Sequence, residues 1–250
     1  MPDTLVPVAD GFWNLRGSFH IFRFINIGTQ SALARLRSGG FVLLDSYPLR
    51  GAVREQVDAL TDGGRAIEAI FNLHPFHTVH VRAAHQALPH AALYGTARHQ
   101  ARAPELPWAD VHTEDPAFAA RFAEDFELLV PAGVDLVCAN EHVHFGSVLA
   151  IHRASRTLYV DDTLGFTPLP LVGGVTFHPG LSAALQQRPG AAAAFRAWAQ
   201  ALVERCREID HLCVAHTRPL PAGHAPVADL VAGALRRVEG ALAKHEARWG

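Results

Sequence analysis

The residues FNLHPFH at positions 71–77 follow the apolar run Ala66–Phe71, which predicts a buried strand. Two imidazoles, those of His74 and His77, therefore come directly after this strand, and we expect a helix from Pro75 to Leu88 to follow. A strand holds its last side chains rigidly and presents them to the loops that wall a pocket. Because neutral imidazole is a common metal ligand, we expect His74 and His77 to bind a metal ion.

The sequence EHVHFGS, which contains His142 and His144, leads into a predicted hairpin. Its arms are Ser147–Ile151 and Thr157–Val160, and the second arm is followed by Asp162. The two histidines are two positions apart, so both point to one face of an extended segment and either is a candidate ligand. We favour His144, since it lies closer to the Gly-Ser pair that opens the hairpin.

Helices and strands alternate in the remaining sequence, with no internal repeat or low-complexity linker, so we expect a single domain over residues 1–250. The stripe from Val231 to Leu242 is short for a coiled coil and predicts a closing helix docked within its own chain. We expect residues 95–116 to form a loop. The predicted helices are Arg50–Leu60, Ala117–Glu124, Ala191–Cys206 and Val227–Ala247, and two further predicted strands are Ala91–Tyr94 and His211–Ala215, the second of which ends next to His216.

The composition of the 250 residues excludes a disordered chain, because 49% are hydrophobic and only 18% are charged. Lysine and arginine number 22 against 24 acidic residues, which argues against a broad basic face for nucleic acid or a membrane and favours a small-molecule substrate or a protein partner. The oligomeric state is open. The three cysteines form no C-x-x-C pair, and no export signal opens the chain, so we expect core thiols and a cytoplasmic location.

The order of these segments resembles the metallo-β-lactamase fold superfamily over nearly the whole chain. That superfamily opens with strands and a hairpin ending in an aspartate, here Asp45, followed by a helix, a buried strand and the motif HxHxDH. A later histidine before Gly-Ser, an aspartate after a hairpin and a histidine after the last strand complete the set. The resemblance implies an α/β fold, an αββα sandwich of two mixed β-sheets flanked by helices.

The motif is degenerate in this chain. Asn72 and Phe76 stand where the resemblance implies the first histidine and the aspartate, while His74 and His77 match the other two positions. The chain looks like a less characterised branch in which the motif is also degenerate. With Phe76 in place of a ligand, we expect at most one well-held ion.

The ligand set implied by the resemblance contains five residues, with two alternatives. They are His74, His77, His144, Asp162 and His216, with His142 and His80 as the alternatives. Zinc is the favoured ion, iron or manganese are the other options, and a relic site would hold none.

The implied function is a metal-dependent hydrolase that uses a metal-bound hydroxide on an ester, thioester, amide or phosphoester. No catalytic side chain is assigned beyond the ligands. One alternative is a non-catalytic binding protein that keeps the fold and at most one ion, and another is an iron-dependent oxygenase of the same fold.

The other histidines have structural interpretations. We expect His85, His90 and His99 to face solvent and His152 to order the hairpin. Asp45 is expected to stabilise a loop beside the pocket.

Overall fold

The computed structural model of the chain describes residues 3–21, 25–167, 174–216, 220 and 223–250. These residues form two compact units. The first is Met1–Leu128 with Ala150–Ser155, and the second is Leu129–Leu149 with Arg156–Gly250.

From Thr4 to His152, the described residues form ten strands and four helices. They are β1 (Thr4–Ala9), β2 (Phe12–Gly17), β3 (His20–Ile21), β4 (Ile25–Asn26), β5 (Thr29–Arg35), β6 (Phe41–Leu44), α1 (Gly51–Leu60), β7 (Ile67–Phe71), α2 (Val81–Ala87), β8 (Ala92–Tyr94), α3 (Ala97–Arg102), α4 (Pro116–Arg121), β9 (Phe126–Leu129) and β10 (Leu149–His152).

A mixed six-stranded sheet with the order β1-β2-β5-β6-β7-β8 organises the first unit. Strands β1, β2, β5 and β6 pair antiparallel, whereas β6, β7 and β8 pair in parallel. Because parallel strands end at the same edge of a sheet, Asp45 after β6 and Asn72 after β7 lie at one edge. The expected site residues of this unit therefore start from one rigid edge.

The core of the first unit forms where α1 covers this sheet. Val53 and Val57, one helical turn apart, are buried in one cluster with Leu43 of β6 and Ile70 of β7. The strand and helix predicted before residue 72 are confirmed to within one residue at each end.

The helix predicted from Pro75 is wrong in its start, because α2 begins only at Val81. The preceding segment forms tight turns, in which the His77 N–H donates to the carbonyl of His74. The Nδ1 atom of His74 also accepts the N–H of Phe76 at 3.2 Å, so this side chain competes with helix formation.

The loop expected over residues 95–116 contains a short helix, α3. Thr96 and His99 form a reciprocal capping box at its start, with the imidazole in the place that Glu or Gln usually takes. Prolines at 104 and 107 obscured this helix in the sequence.

The second unit continues with four strands, three α-helices and a 3-10 helix (Cys206–Glu208) among its described residues. They are β11 (Thr157–Tyr159), β12 (Leu164–Thr167), β13 (Gly174–Phe177), α5 (Leu181–Ala184), α6 (Ala191–Arg205), β14 (His211–Cys213) and α7 (Val227–Trp249). Strands β11 and β14 pair in parallel, and β12 and β13 form an antiparallel pair. The four-stranded second sheet has the order β14-β11-β10-β9. Two mixed sheets with helices agree with the predicted fold class.

The closing helix α7 docks within its own unit. It buries Val231, Leu235 and Leu242 and packs against α6 and β13, so its apolar stripe is used inside the chain, as predicted. None of the described helices is long and apolar enough to cross a membrane.

Candidate metal centre

Two parallel strands of the second unit deliver acidic and imidazole side chains to one edge. The Val160 N–H donates to the carbonyl of Cys213 at 2.9 Å and so extends the pairing of β11 and β14 by one step. The strands then end together, and Asp161 and Asp162 follow one while His216 follows the other. Proximity of these side chains is a direct result of parallel pairing.

The donor atoms of this edge form a compact set. Asp161, Asp162 and His216 each present one potential ligand atom, and these atoms lie within 4.8 Å of one another. The His216 Nε2 atom is 2.7 Å from the Asp162 Oδ1 atom. Both aspartates are buried, at 2% and 4% exposure.

The donor set fits a metal cation. Two buried carboxylates side by side repel each other, and a nearby positive charge relieves that repulsion. Carboxylate oxygens with an imidazole nitrogen are ligand types that Zn²⁺ accepts. Asp161 was not among the predicted ligands, although the sequence places it directly before Asp162.

His216 occupies this edge in an unusual backbone conformation. Its φ of +57° lies in the left-handed region, which costs a non-glycine residue roughly 1–2 kcal/mol. The turn directs its imidazole toward Asp162, at the ion-pair distance given above. Strain of this kind is common where a side chain has a functional position.

A further histidine of this edge, His178, was missed in the sequence. It follows β13, and burial lowers its pKa, while the charge of Asp162 raises it and the charges of His216 and His144 lower it. Its Nδ1 atom accepts the Gly180 N–H at 3.0 Å, so the neutral ring carries its proton on Nε2. The dipeptide His178-Pro179 after an apolar strand repeats the pattern of His74-Pro75 and was the available signal.

The segment with the predicted ligand His144 is held by a threonine of the same edge. Thr163 Oγ1 donates to the Phe145 carbonyl at 3.0 Å and accepts the Ser147 N–H at 3.1 Å. His144 is half-buried, and its Nε2 atom lies 2.6 Å from the Glu141 carbonyl, whereas His142 is exposed. Through its chain neighbour Phe145, His144 is connected to the threonine that follows Asp162.

The first unit carries the other two predicted ligands at the end of β7. The imidazoles of His74 and His77 stack with their centroids 4.0 Å apart, and His74 is fully buried while His77 is half-buried. Asp45 holds the start of the segment that carries these two histidines, because its Oδ1 atom accepts the Leu73 N–H at 2.7 Å. The prediction that Asp45 stabilises a loop is thus confirmed.

Asn72 and Phe76 have different structural roles. Asn72 is fully buried, accepts the Ser46 hydroxyl at 2.6 Å and donates from Nδ2 to the Tyr94 carbonyl at 2.8 Å. Its carboxamide therefore braces the ends of β7 and β8. Phe76 presents its ring to the guanidinium of Arg98, whose Cζ atom is 4.4 Å from the ring centroid.

Other histidines depart in part from the sequence predictions. His99 was expected to face solvent, which is wrong: it is 1% exposed, and burial, the largest influence, lowers its pKa to about 3. His90 is exposed and His85 half-buried. His80, an alternative ligand, is half-buried with a pKa lowered mainly by burial. His152 orders the hairpin as predicted, with its ring nitrogens 2.7 Å from Ser155 Oγ and 2.9 Å from the Arg35 carbonyl.

Several solved structures are similar to this architecture. The mono-zinc form of the metallo-β-lactamase FIM-1 from Pseudomonas aeruginosa is similar over 95% of this chain and 96% of its own, with a TM-score of 0.60 and 12% identity. The chain adopts the metallo-β-lactamase fold. The metallo-β-lactamase from Erythrobacter litoralis is similar over 94% of this chain and 96% of its own, with a TM-score of 0.61 and 15% identity.

DIM-1, another metallo-β-lactamase, is similar over 95% of this chain and 98% of its own, with a TM-score of 0.63 and 11% identity. No protein-family model matches the chain. No curated protein sequence matches it either. The metallo-β-lactamase fold is therefore carried here by a sequence far from those of its structural neighbours.

Proposed function

We propose that this protein is a metal-dependent hydrolase that binds one zinc ion and acts on a small ester, thioester, amide or phosphoester. One observation carries the proposal. The ligand atoms of Asp161, Asp162 and His216 lie within 4.8 Å of one another at the ends of two parallel strands of this fold. The mono-zinc form of FIM-1 supports the choice of metal, because that protein has the same fold.

The proposed ligand set is taken from the predicted segments. Asp162 and His216 are the ligands that this edge provides, and His74, His77 and His144 are the remaining residues of the predicted set. Asp161 lies beside this set and adds negative charge that favours a cation. When bound, zinc supplies a nucleophile at neutral pH, because it lowers the pKa of water to about 7.

Side chains around the proposed ion position protons and substrate. His178 is neutral near pH 7, since burial lowers its pKa, and its proton lies on Nε2. That N–H can donate a hydrogen bond to a polar group of the substrate. Asp45 keeps the His74 segment in place through the Leu73 N–H. Phe76 offers no lone pair, which supports a single ion.

Element analysis of protein purified without added metal tests this function. We expect about one zinc ion per chain in the wild type and its loss in His216→Ala and Asp162→Asn. The matched control is His211→Ala, which removes a half-buried histidine from the start of β14, the strand that precedes His216, and should leave the metal content unchanged. Hydrolysis of a panel of esters, thioesters and phosphoesters should depend on the same two ligands.

Other outcomes support the alternatives. A bound ion without hydrolysis of any substrate in the panel favours a binding protein. Iron in place of zinc, with oxygen uptake in the presence of thiols, favours the oxygenase. Absence of any ion from the freshly purified protein and from protein dialysed against zinc would refute the metal site itself.

A further inference from the structure

His178 of the second unit is bonded to the residue that follows Asp162. The His178 N–H donates to the Thr163 carbonyl at 3.3 Å, which extends the pairing of β12 and β13 by one step beyond Leu164 and Phe177. Thr163 comes directly after Asp162 in the chain. The backbone of His178 is therefore fixed next to the edge that carries two of the proposed ligands.

The side chain of His178 lies on the same face of this strand pair as that of Thr163. Residues directly opposite each other on paired strands point to one face, and the preceding side chain points to the other. That preceding residue, Phe177, packs on Phe195 of α6 with 5.2 Å between the ring centroids. His178 therefore points away from this helix, to the face on which Thr163 binds the Phe145 carbonyl.

Hydrogen bonding of the His178 ring leaves a donor on Nε2. The Nδ1 atom accepts the Gly180 N–H at 3.0 Å, so the neutral ring carries its proton on Nε2. Among the residues that the structure describes, Nε2 has no hydrogen-bond partner, and it is not among the polar atoms sealed from solvent. His178 thus presents a neutral N–H that can bind an acceptor from outside the protein.

Gly180 permits this arrangement of the ring. A Cβ atom at that position would be 2.9 Å from the Nδ1 atom of His178, which is closer than a Cβ atom normally approaches another atom. The turn is closed by the Leu181 N–H, which donates to the His178 carbonyl at 3.1 Å. Because Nε2 is on the opposite side of the imidazole from Nδ1, its N–H points away from the turn.

The charges at this edge favour a neutral substrate. The buried carboxylates of Asp161 and Asp162 balance the charge of one divalent ion, so a phosphoester would bring further negative charge to them. A single neutral donor also matches a carbonyl group, because the charge that develops in acyl transfer is on one oxygen. Phosphoryl transfer spreads its charge over three oxygens.

We propose that the Nε2–H of His178 binds the carbonyl oxygen of a neutral ester, thioester or amide and stabilises the negative charge that develops on that oxygen. This inference rests on the proposed function and narrows its substrates to acyl compounds, without phosphoesters.

His178 transfers no proton in this reaction. Water supplies a hydroxide and a proton. The hydroxide oxygen bonds to the acyl carbon, and the π electron pair of the carbonyl moves to the oxygen that His178 binds. That pair then returns, the bond to the leaving group breaks, and the leaving group departs with the bonding electrons and takes up the proton from water.

Two substitutions separate the donor from the structural role of the ring. His178→Gln places an amide N–H near the position of Nε2, whereas His178→Asn places an amide oxygen near Nδ1 and keeps only the acceptor for Gly180. With p-nitrophenyl acetate and zinc-loaded protein, we expect His178→Asn to lower kcat by about 100- to 1000-fold, as for removal of one oxyanion donor. His178→Gln should recover most of this loss, and KM and zinc content should be unchanged in both variants.

The matched control is His211→Asn, which removes a half-buried histidine from the start of β14 and should leave kcat unchanged. We expect no hydrolysis of p-nitrophenyl phosphate, which has the same leaving group as the ester. Wild-type kcat in His178→Asn, or an equal loss of kcat in His178→Asn and His178→Gln, would refute the donor role. Hydrolysis of the phosphate that depends on His178 would refute the substrate class.

Long-range ¹H–¹⁵N NMR of the imidazoles gives a readout that needs no turnover. We expect the Nε2–H tautomer at His178, and a shift of its Nε2 resonance when p-nitroacetanilide, a slowly reacting amide, is added. An Nδ1–H tautomer or an unchanged resonance would refute the inference. A chain that binds no zinc and hydrolyses no ester but shows this shift would refute the proposed function alone. A chain that binds zinc and hydrolyses the ester equally well in His178→Asn would refute the inference alone.

Discussion

Asn72 is the position at which the predicted match to the HxHxDH motif can be tested most directly. Replacing it with histidine introduces the residue type that the resemblance implies there. In this chain the side chain is fully buried and bonded to the Ser46 hydroxyl and the Tyr94 carbonyl. We therefore predict that Asn72→His lowers the stability of the protein and does not add a second ion.

The size of the effect follows from these contacts. Two hydrogen bonds are lost, each worth about 1 kcal/mol net. Imidazole is also larger than the carboxamide, and adding volume to a packed site costs about 1–3 kcal/mol. The sum is about 3–5 kcal/mol, which is a large share of the 5–15 kcal/mol that roughly bounds the stability of native proteins.

Urea denaturation followed by circular dichroism measures this loss, and element analysis of the same samples measures bound metal. Gln187→His is the control, because Gln187 is exposed and an imidazole introduced there should change stability by about 0.5 kcal/mol or less. The double variant Asn72→His, Phe76→Asp tests the complete motif, and we expect it to hold no more than one ion. Stability equal to that of the wild type together with two ions per chain would refute the reasoning.

Three further predictions concern stability. Asp45→Ala should lower the free energy of unfolding, measured by urea denaturation, by about 3 kcal/mol, because it loses a charged hydrogen bond and puts alanine at a φ of +59°. Asp45→Gly should recover about 1 kcal/mol of this loss, and equal losses in the two variants would contradict the prediction. Burial lowers the pKa of His152 in the folded state, so unfolding takes up a proton below about pH 6.5, and the stability of the protein should fall as the pH drops from 7 to 5. His152→Gln should reduce this slope, whereas a similar reduction in the exposed control His90→Gln would argue against it. Leu242→Ala should lower the unfolding free energy by about 2–5 kcal/mol, with Arg236→Ala as the exposed control, and a change in oligomeric state without loss of stability would favour a dimer zipper.

The sequence carried enough information for the ends of the strands. The aspartates and His216 follow short apolar runs, and parallel pairing of those runs was sufficient to bring them together. Asp161 and His178 escaped prediction for different reasons. Asp161 was not predicted because the motif register assigned the aspartate position to its neighbour Asp162. His178 became relevant only once the β12–β13 pair had placed it near Asp162.

The helices were predicted less well where side chains compete with the backbone. At residues 74–80 the imidazole of His74 accepts a backbone N–H, so the chain forms turns where the loss of alternation after Pro75 had indicated a helix. At His99 the same chemistry has the opposite effect, because the ring caps α3 and is buried by it. A histidine can thus end or begin a helix, and its sequence neighbours alone do not decide which.

The left-handed backbone of His216 positions a proposed metal ligand at a cost in the stability of the metal-free protein. A glycine there would adopt the same φ without a steric penalty, so His216→Gly would relieve roughly 1 kcal/mol of strain while it removes a proposed ligand and its 2.7 Å contact with Asp162. For a protein engineer, apo stability is therefore a misleading score at this position, since the relief of strain offsets part of the lost contact and a screen for heat resistance alone under-records the loss of the imidazole. Selection in the presence of zinc would record that loss in full, because an ion that binds only the folded chain adds its binding free energy to the folded state.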